Sequence, residues 1–118
     1  MRLKFVALIV PLLFVLTAGA AFAHAHLDHT VPRADETVAS TPGEITLWFT
    51  QKLEPAFSTV TITNAAGERV DTGKPRVDGS QMAVSLRPGG AGIYRVTWHA
   101  VSLDTHSTDG NYTFTVGP

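Results

Sequence analysis

The sequence predicts an all-β protein, a sandwich of about seven strands preceded by a signal peptide that is cleaved off. Three observations carry this. Apolar and polar residues alternate with period two through most of the chain after residue 23. Glycine, proline, asparagine and aspartate punctuate these runs at short intervals. No stretch of that part shows helical periodicity. Alternation places one face of each strand in the core and the other toward water.

The elements follow in order. Arg2 and Lys4 open the chain, an apolar run extends from Phe5 to Leu16, and Ala21-Phe22-Ala23 supplies a small-x-small cleavage pattern. This is the layout of a secretory signal. The apolar core is shorter than the roughly 20 residues of a spanning helix, so removal is expected and not retention as an anchor. Residues 1–23 are therefore assigned to the signal peptide and residues 24–118 to one domain. The segment His24 to Thr30 reads as an edge strand, and Pro32 and Pro42 bracket a loop. Ile45, Leu47 and Phe49 alternate with Thr46, Trp48 and Thr50. Val60 and Ile62 alternate with Thr59, Thr61 and Thr63. Asn64-Ala65-Ala66-Gly67 then turns the chain into a short strand expected near Glu68 to Val70. Asp78-Gly79-Ser80 precedes the strand of Met82, Val84 and Leu86. The stretch Pro88 to Gly92 precedes that of Tyr94, Val96, Trp98 and Ala100. Asp109-Gly110 is read as the turn before Tyr112, Phe114 and Val116. Short strands at this spacing match an Ig-like, Greek-key sandwich.

Composition narrows the function classes. Of 9 basic and 10 acidic residues, Arg2 and Lys4 leave with the signal, so the mature formal charge is 7 − 10 = −3. Nucleic acid is an unsuitable partner for such a chain. There is no cysteine. Disulfides and the thiolate ligands favoured by Cu(I) and structural zinc are excluded.

All 5 histidines lie in the mature part: His24, His26, His29, His99 and His106. Cleavage after Ala23 would make His24 the first residue. Its α-amine and imidazole Nδ1 would then close a six-membered chelate ring, a donor pair suited to tetragonal Cu(II). Asp104-Thr105-His106 supplies a second candidate half. On an extended chain residues two apart face the same side, with Cα atoms about 6.6 Å apart. His24, Asp104 and His106 together offer three nitrogens and one oxygen. Each feature also has a plain structural reading, since polar residues belong between a strand and a turn. His26 is an accessory candidate. As third residue of the mature chain it could instead wrap Cu(II) with the amine and two backbone amides, unless those amides are committed to the sheet. His29 and His99 read as structural or surface residues.

The segments His24-Ala25-His26-Leu27, Leu47-Trp48-Phe49-Thr50, Glu54-Pro55-x-Phe57-Ser58, Trp98 to His106, and Gly110-x-Tyr112-x-Phe114-x-Val116 resemble the CopC family of copper-resistance proteins. The resemblance implies an exported, periplasmic β-sandwich that is not an enzyme and carries one Cu(II) per chain. It implies His24, Asp104 and His106 as ligands, and a CopD-type inner-membrane copper transporter as partner. The mature chain is expected to be free of the membrane. The chain departs from members with a methionine-rich Cu(I) site: it has only Met1 and Met82, and Trp48 stands where those members have a histidine. Gln51 stands where some members have a glutamate near the Cu(II) site. Two other functions fit parts of the pattern, a histidine-brace copper monooxygenase and a metal-free Ig-like interaction module. The first lacks an aromatic binding surface, and the second leaves the clustered histidines without a role.

Overall fold

The structure, a computed structural model, describes residues 24–118. The predicted signal segment, residues 1–23, lies outside the described residues. Eight strands follow in chain order: β1 (Leu27–Val31), β2 (Thr37–Val38), β3 (Glu44–Phe49), β4 (Thr59–Thr63), β5 (Asp71–Asp78), β6 (Gln81–Leu86), β7 (Gly92–Val101) and β8 (Ser107–Val116). They form two four-stranded sheets, β1-β3-β6-β5 and β2-β8-β7-β4. The chain passes repeatedly from one sheet to the other, so neighbours such as β3 and β6 are distant in sequence. All pairings are antiparallel except the short parallel contact of β2 with β8. Among the described residues no helix is long and apolar enough to cross a membrane.

The alternating residues meet between the sheets, as expected. Ile45, Leu47, Met82 and Val84 face Val60, Ile62, Val96 and Phe114 in one buried cluster. Aromatic pairs lock its two ends. Phe49 meets Trp98 edge-to-face at 5.2 Å, and Tyr94 stacks on Phe114 at 5.3 Å. Edge-to-face and offset stacking are the arrangements that aromatic quadrupoles prefer.

Four expectations change. The short strand expected near Glu68 to Val70 is displaced to Asp71–Asp78, with only an isolated bridge from Arg69 to Thr63. Its sequence, with Gly73 and Pro75, lacks alternation, and its pairing shifts register between Thr72 and Arg76. An edge position tolerates both features, because a proline there need not donate to a ladder. The loop between Pro32 and Pro42 contains the two-residue β2. The N-terminal strand begins at Leu27, not at His24.

The last change concerns Asp109-Gly110, which is paired within β8 opposite His99 and Trp98 and is no turn. Glycine is required there by packing: a Cβ on Gly110 would lie 2.4 Å from Cζ2 of Trp98. The reversal falls instead on residues 102–106, between Val101 and its partner Ser107.

Candidate metal centre

The reversal between β7 and β8 is built from Ser102 to His106. Thr105 N–H donates to the Ser102 carbonyl at 2.9 Å, and Ser102 N–H donates to the His106 carbonyl at 2.9 Å. Thr105 takes a left-handed conformation, φ 71°. Asp104 and His106 therefore do not lie two apart on an extended strand, as the sequence reading had it. The tight turn brings them together in another way, with Asp104 Oδ2 at 3.3 Å from His106 Nδ1.

Ser102 sets the carboxylate. It is buried, and its hydroxyl lies against Asp104 Oδ1 and 3.1 Å from the His106 carbonyl. The Ser102 hydroxyl, aided by His106, holds the Asp104 carboxyl below the usual carboxylate range. A hydrogen bond to the charged form favours ionisation. Asp104 is thus an anion ready to face a cation.

The N-terminal segment arrives at the same place from the other sheet. The Ala25 side chain is fully buried. The Thr108 hydroxyl, near the start of β8, donates to the Ala25 carbonyl at 2.6 Å. Thr50, just past β3, makes a double clasp on the next residue. Its amide donates to the His26 carbonyl at 2.8 Å, and its hydroxyl accepts from His26 N–H at 3.0 Å. The same hydroxyl lies 3.3 Å from the His24 carbonyl. This anchoring holds the His24 ring edge-on to that of His106, with centroids 5.0 Å apart. The His26 ring lies 6.0 Å from that of His24 and is exposed.

His24, Asp104 and His106 thus share one end of the sandwich. As the side chains stand, no three histidine, aspartate or glutamate groups among the described residues converge to enclose an ion. One prospective donor, the His24 nitrogen, is the amide of the Ala23–His24 peptide in the full chain. It becomes an amine only if that bond is cut. Beside the cluster a groove of about 430 Å³ is lined by Thr50, Gln51, Lys52, Ser80, Ser102, Leu103 and Asp104. Gln51 borders the site through this groove.

The other histidines lie outside the cluster. His29 stacks on Trp48 at 4.4 Å with rings nearly parallel, and its Nδ1 pairs with Asp28 at 2.6 Å. Trp48 is therefore engaged on the outer face of β3. His99 pairs with Asp109 across the β7–β8 ladder. Three residues of the centre carried no sequence signal as site residues: Ser102, Thr50 and Thr108. Serine and threonine are ordinary at strand ends, and only the tertiary contacts single these out.

The geometry can be set beside known proteins. The CopC domain family model matches residues 27–117. Protein YobA of Escherichia coli K12 is 40% identical over 108 residues, covering 86% of this chain and 85% of its own length. CopC from Methylosinus trichosporium OB3b has a similar structure, with TM-score 0.75 and 28% identity over 80% of this chain and 95% of that one. PcoC, described as a methionine-rich copper resistance protein from Escherichia coli, gives TM-score 0.71 and 41% identity over 80% of this chain and all of its own. Methionine marks a difference, since this chain has 2, and Met82 is fully buried in the core. On the extent of the family match and the likeness of these relatives, the chain belongs to the CopC family of copper-resistance proteins.

Proposed function

We propose that the protein is an exported Cu(II) carrier of copper homeostasis or resistance, without enzymatic activity, which binds one Cu(II) per chain. The ligands are the His24 amine and imidazole, Asp104 and His106, with His26 in an accessory place. One observation carries this reading: the fold brings residue 24 onto the turn that holds residues 104–106, with the two imidazoles 5.0 Å apart and the Asp104 carboxyl 3.3 Å from His106 Nδ1. Three nitrogens and one oxygen suit tetragonal Cu(II). The family match includes Asp104 and His106 but begins after His24, so the N-terminal ligand rests on geometry and chemistry. Export follows from the signal pattern of residues 1–23, with cleavage between Ala23 and His24, and places the mature chain in the periplasm or its equivalent. A CopD-type membrane transporter is the counterpart that the resemblance implies.

The test is a competitive Cu(II) titration of the processed protein, purified from the exported fraction and checked by intact mass. Asp104→Ala and His106→Ala are each expected to weaken binding by at least about tenfold, the equivalent of ~1.4 kcal/mol. One alanine inserted between Ala23 and His24 keeps every side chain but removes the six-membered chelate, and should weaken binding as much or more. Binding should also weaken as pH falls through the amine's ordinary range, about 7.7–8.0, because the amine must lose its proton to bind. Parental affinity in the inserted variant would show that the amine is no ligand. A mature chain beginning at Ala25 or later would overturn the site.

A further inference from the structure

We infer that Thr50 and Thr108 are positioning residues that decide which of two copper complexes the N-terminal His-Ala-His sequence forms. This rests on the proposed Cu(II) site and deepens it. A free amine followed by two amides and a third-position histidine is by itself a complete planar Cu(II) chelator. To form it, the backbone nitrogens of Ala25 and His26 must release their protons to solvent and turn toward the metal with the His26 ring. The amine would then be drawn into that plane and away from Asp104 and His106.

The fold opposes this rearrangement. The His26 N–H is already committed, to the Thr50 hydroxyl at 3.0 Å and to the His24 carbonyl at 2.9 Å. The His26 carbonyl accepts from Thr50 N–H, and the Ala25 carbonyl accepts from the Thr108 hydroxyl. The Ala25 methyl is packed in the core. Curling the segment about an ion would break these bonds and expose that methyl. The threonines thus hold the tripeptide with His24 over His106 and keep the His26 amide out of copper's reach. They touch no metal, and act through the backbone they hold. A histidine in the third position, which would make the mature terminus a chelator independent of the fold, is thereby left as an exposed accessory.

The experiment compares the processed exported protein with its Thr50→Val/Thr108→Val, Thr50→Ser/Thr108→Ser and His26→Ala forms, each with one equivalent of Cu(II). Valine keeps the shape and removes the hydroxyl, whereas serine keeps the hydroxyl. Visible absorption and electron paramagnetic resonance read the donor set directly, because ionised amides are stronger-field donors than carboxylate. The expected result is a shift of the d–d band to shorter wavelength in the valine form only, reversed when His26→Ala is added to it. In the copper-free protein, the His26 amide should exchange roughly tenfold faster in the valine form, as expected for the loss of one hydrogen bond. An unchanged valine spectrum, or unchanged exchange, overturns the inference while leaving the proposed site standing. A parent that already shows the amide-bound spectrum, lost on His26→Ala, overturns both.

Discussion

At the scale of single residues, the fold repeatedly uses one polar group to fix the state of another. Ser102 does so for Asp104. Asp71 is the clearest case away from the centre. Its side chain is nearly buried, yet it accepts from the Ile62 amide at 2.8 Å and from the Arg69 guanidinium at 3.1 Å. Burial pushes its carboxyl up, but Arg69 and the Ile62 amide together outweigh that and leave it below the ordinary range. A carboxyl with a depressed folded-state pKa contributes stability at all pH values above its unfolded pKa. That contribution is lost as pH falls through the folded value. Asp71→Ala should therefore destabilise the domain at neutral pH by about 1–3 kcal/mol, because the Ile62 amide loses its partner. The deficit should shrink below about pH 4, where the unfolded carboxyl takes up its proton. Urea unfolding of both proteins at pH 7 and pH 3 checks this, and an equal deficit at both values would contradict it.

At the scale of elements, the β7–β8 hairpin decides where the candidate ligands stand. Ten consecutive pairs, from Gly92 with Val116 to Val101 with Ser107, run without a break. The reversal must therefore begin directly after Val101. Two residues make this register possible. Gly110 leaves room for the Trp98 ring, and Gly110→Ala would drive a methyl into a rigid indole packed against Phe49. Overpacking of this kind costs about 1–3 kcal/mol, so the urea midpoint should fall and the tryptophan fluorescence should change. Thr105 supplies the left-handed residue of the turn, a conformation costly for a β-branched side chain. Asparagine tolerates it better. Thr105→Asn should raise stability by up to about 1 kcal/mol and leave Cu(II) affinity within about twofold of the parent. Thermal unfolding and the copper titration read the two effects separately.

At the scale of the whole molecule, the sandwich is a device for joining distant parts of the chain. The contacts that hold Ala25 and His26 come from Thr108 in one sheet and from Thr50, beyond the last residue of a strand in the other. The site thus straddles the end of the core, and its geometry depends on the sheets staying packed. There is no disulfide to share that task. Phe114, fully buried in the core, stacks on Tyr94. Phe114→Ala should cost about 3–5 kcal/mol, a large part of the roughly 5–15 kcal/mol that a domain of this size possesses. Its melting temperature should drop by well over 10 °C, at about 4–8 °C per kcal/mol. A smaller fall would mean that the core closes around the loss.

The sequence by itself determined the class of fold, the core and the inward face of most strands. Period-two alternation is a local property, and burial of one face follows from it whatever the neighbouring strand is. That is why Ile45, Val60, Met82, Val96 and Phe114 were legible as core, and why β5, with its Gly73 and Pro75, was not legible as a strand. The histidine at residue 24 and the Asp104-x-His106 pair were legible as donors, because donor chemistry belongs to residue type. Only the tertiary structure decided that these residues share one end of the sandwich. Their approach depends on contacts between segments some 80 residues apart in sequence, such as that of the Thr108 hydroxyl with the Ala25 carbonyl, which no local pattern encodes. It also moved the reversal from Asp109-Gly110 to residues 102–106, because the space that Trp98 requires at Gly110 is a property of the packed pair and not of the dipeptide. The commitment of the His26 amide to Thr50 is of the same kind, since a threonine hydroxyl acquires that role only from the backbone that folding places against it.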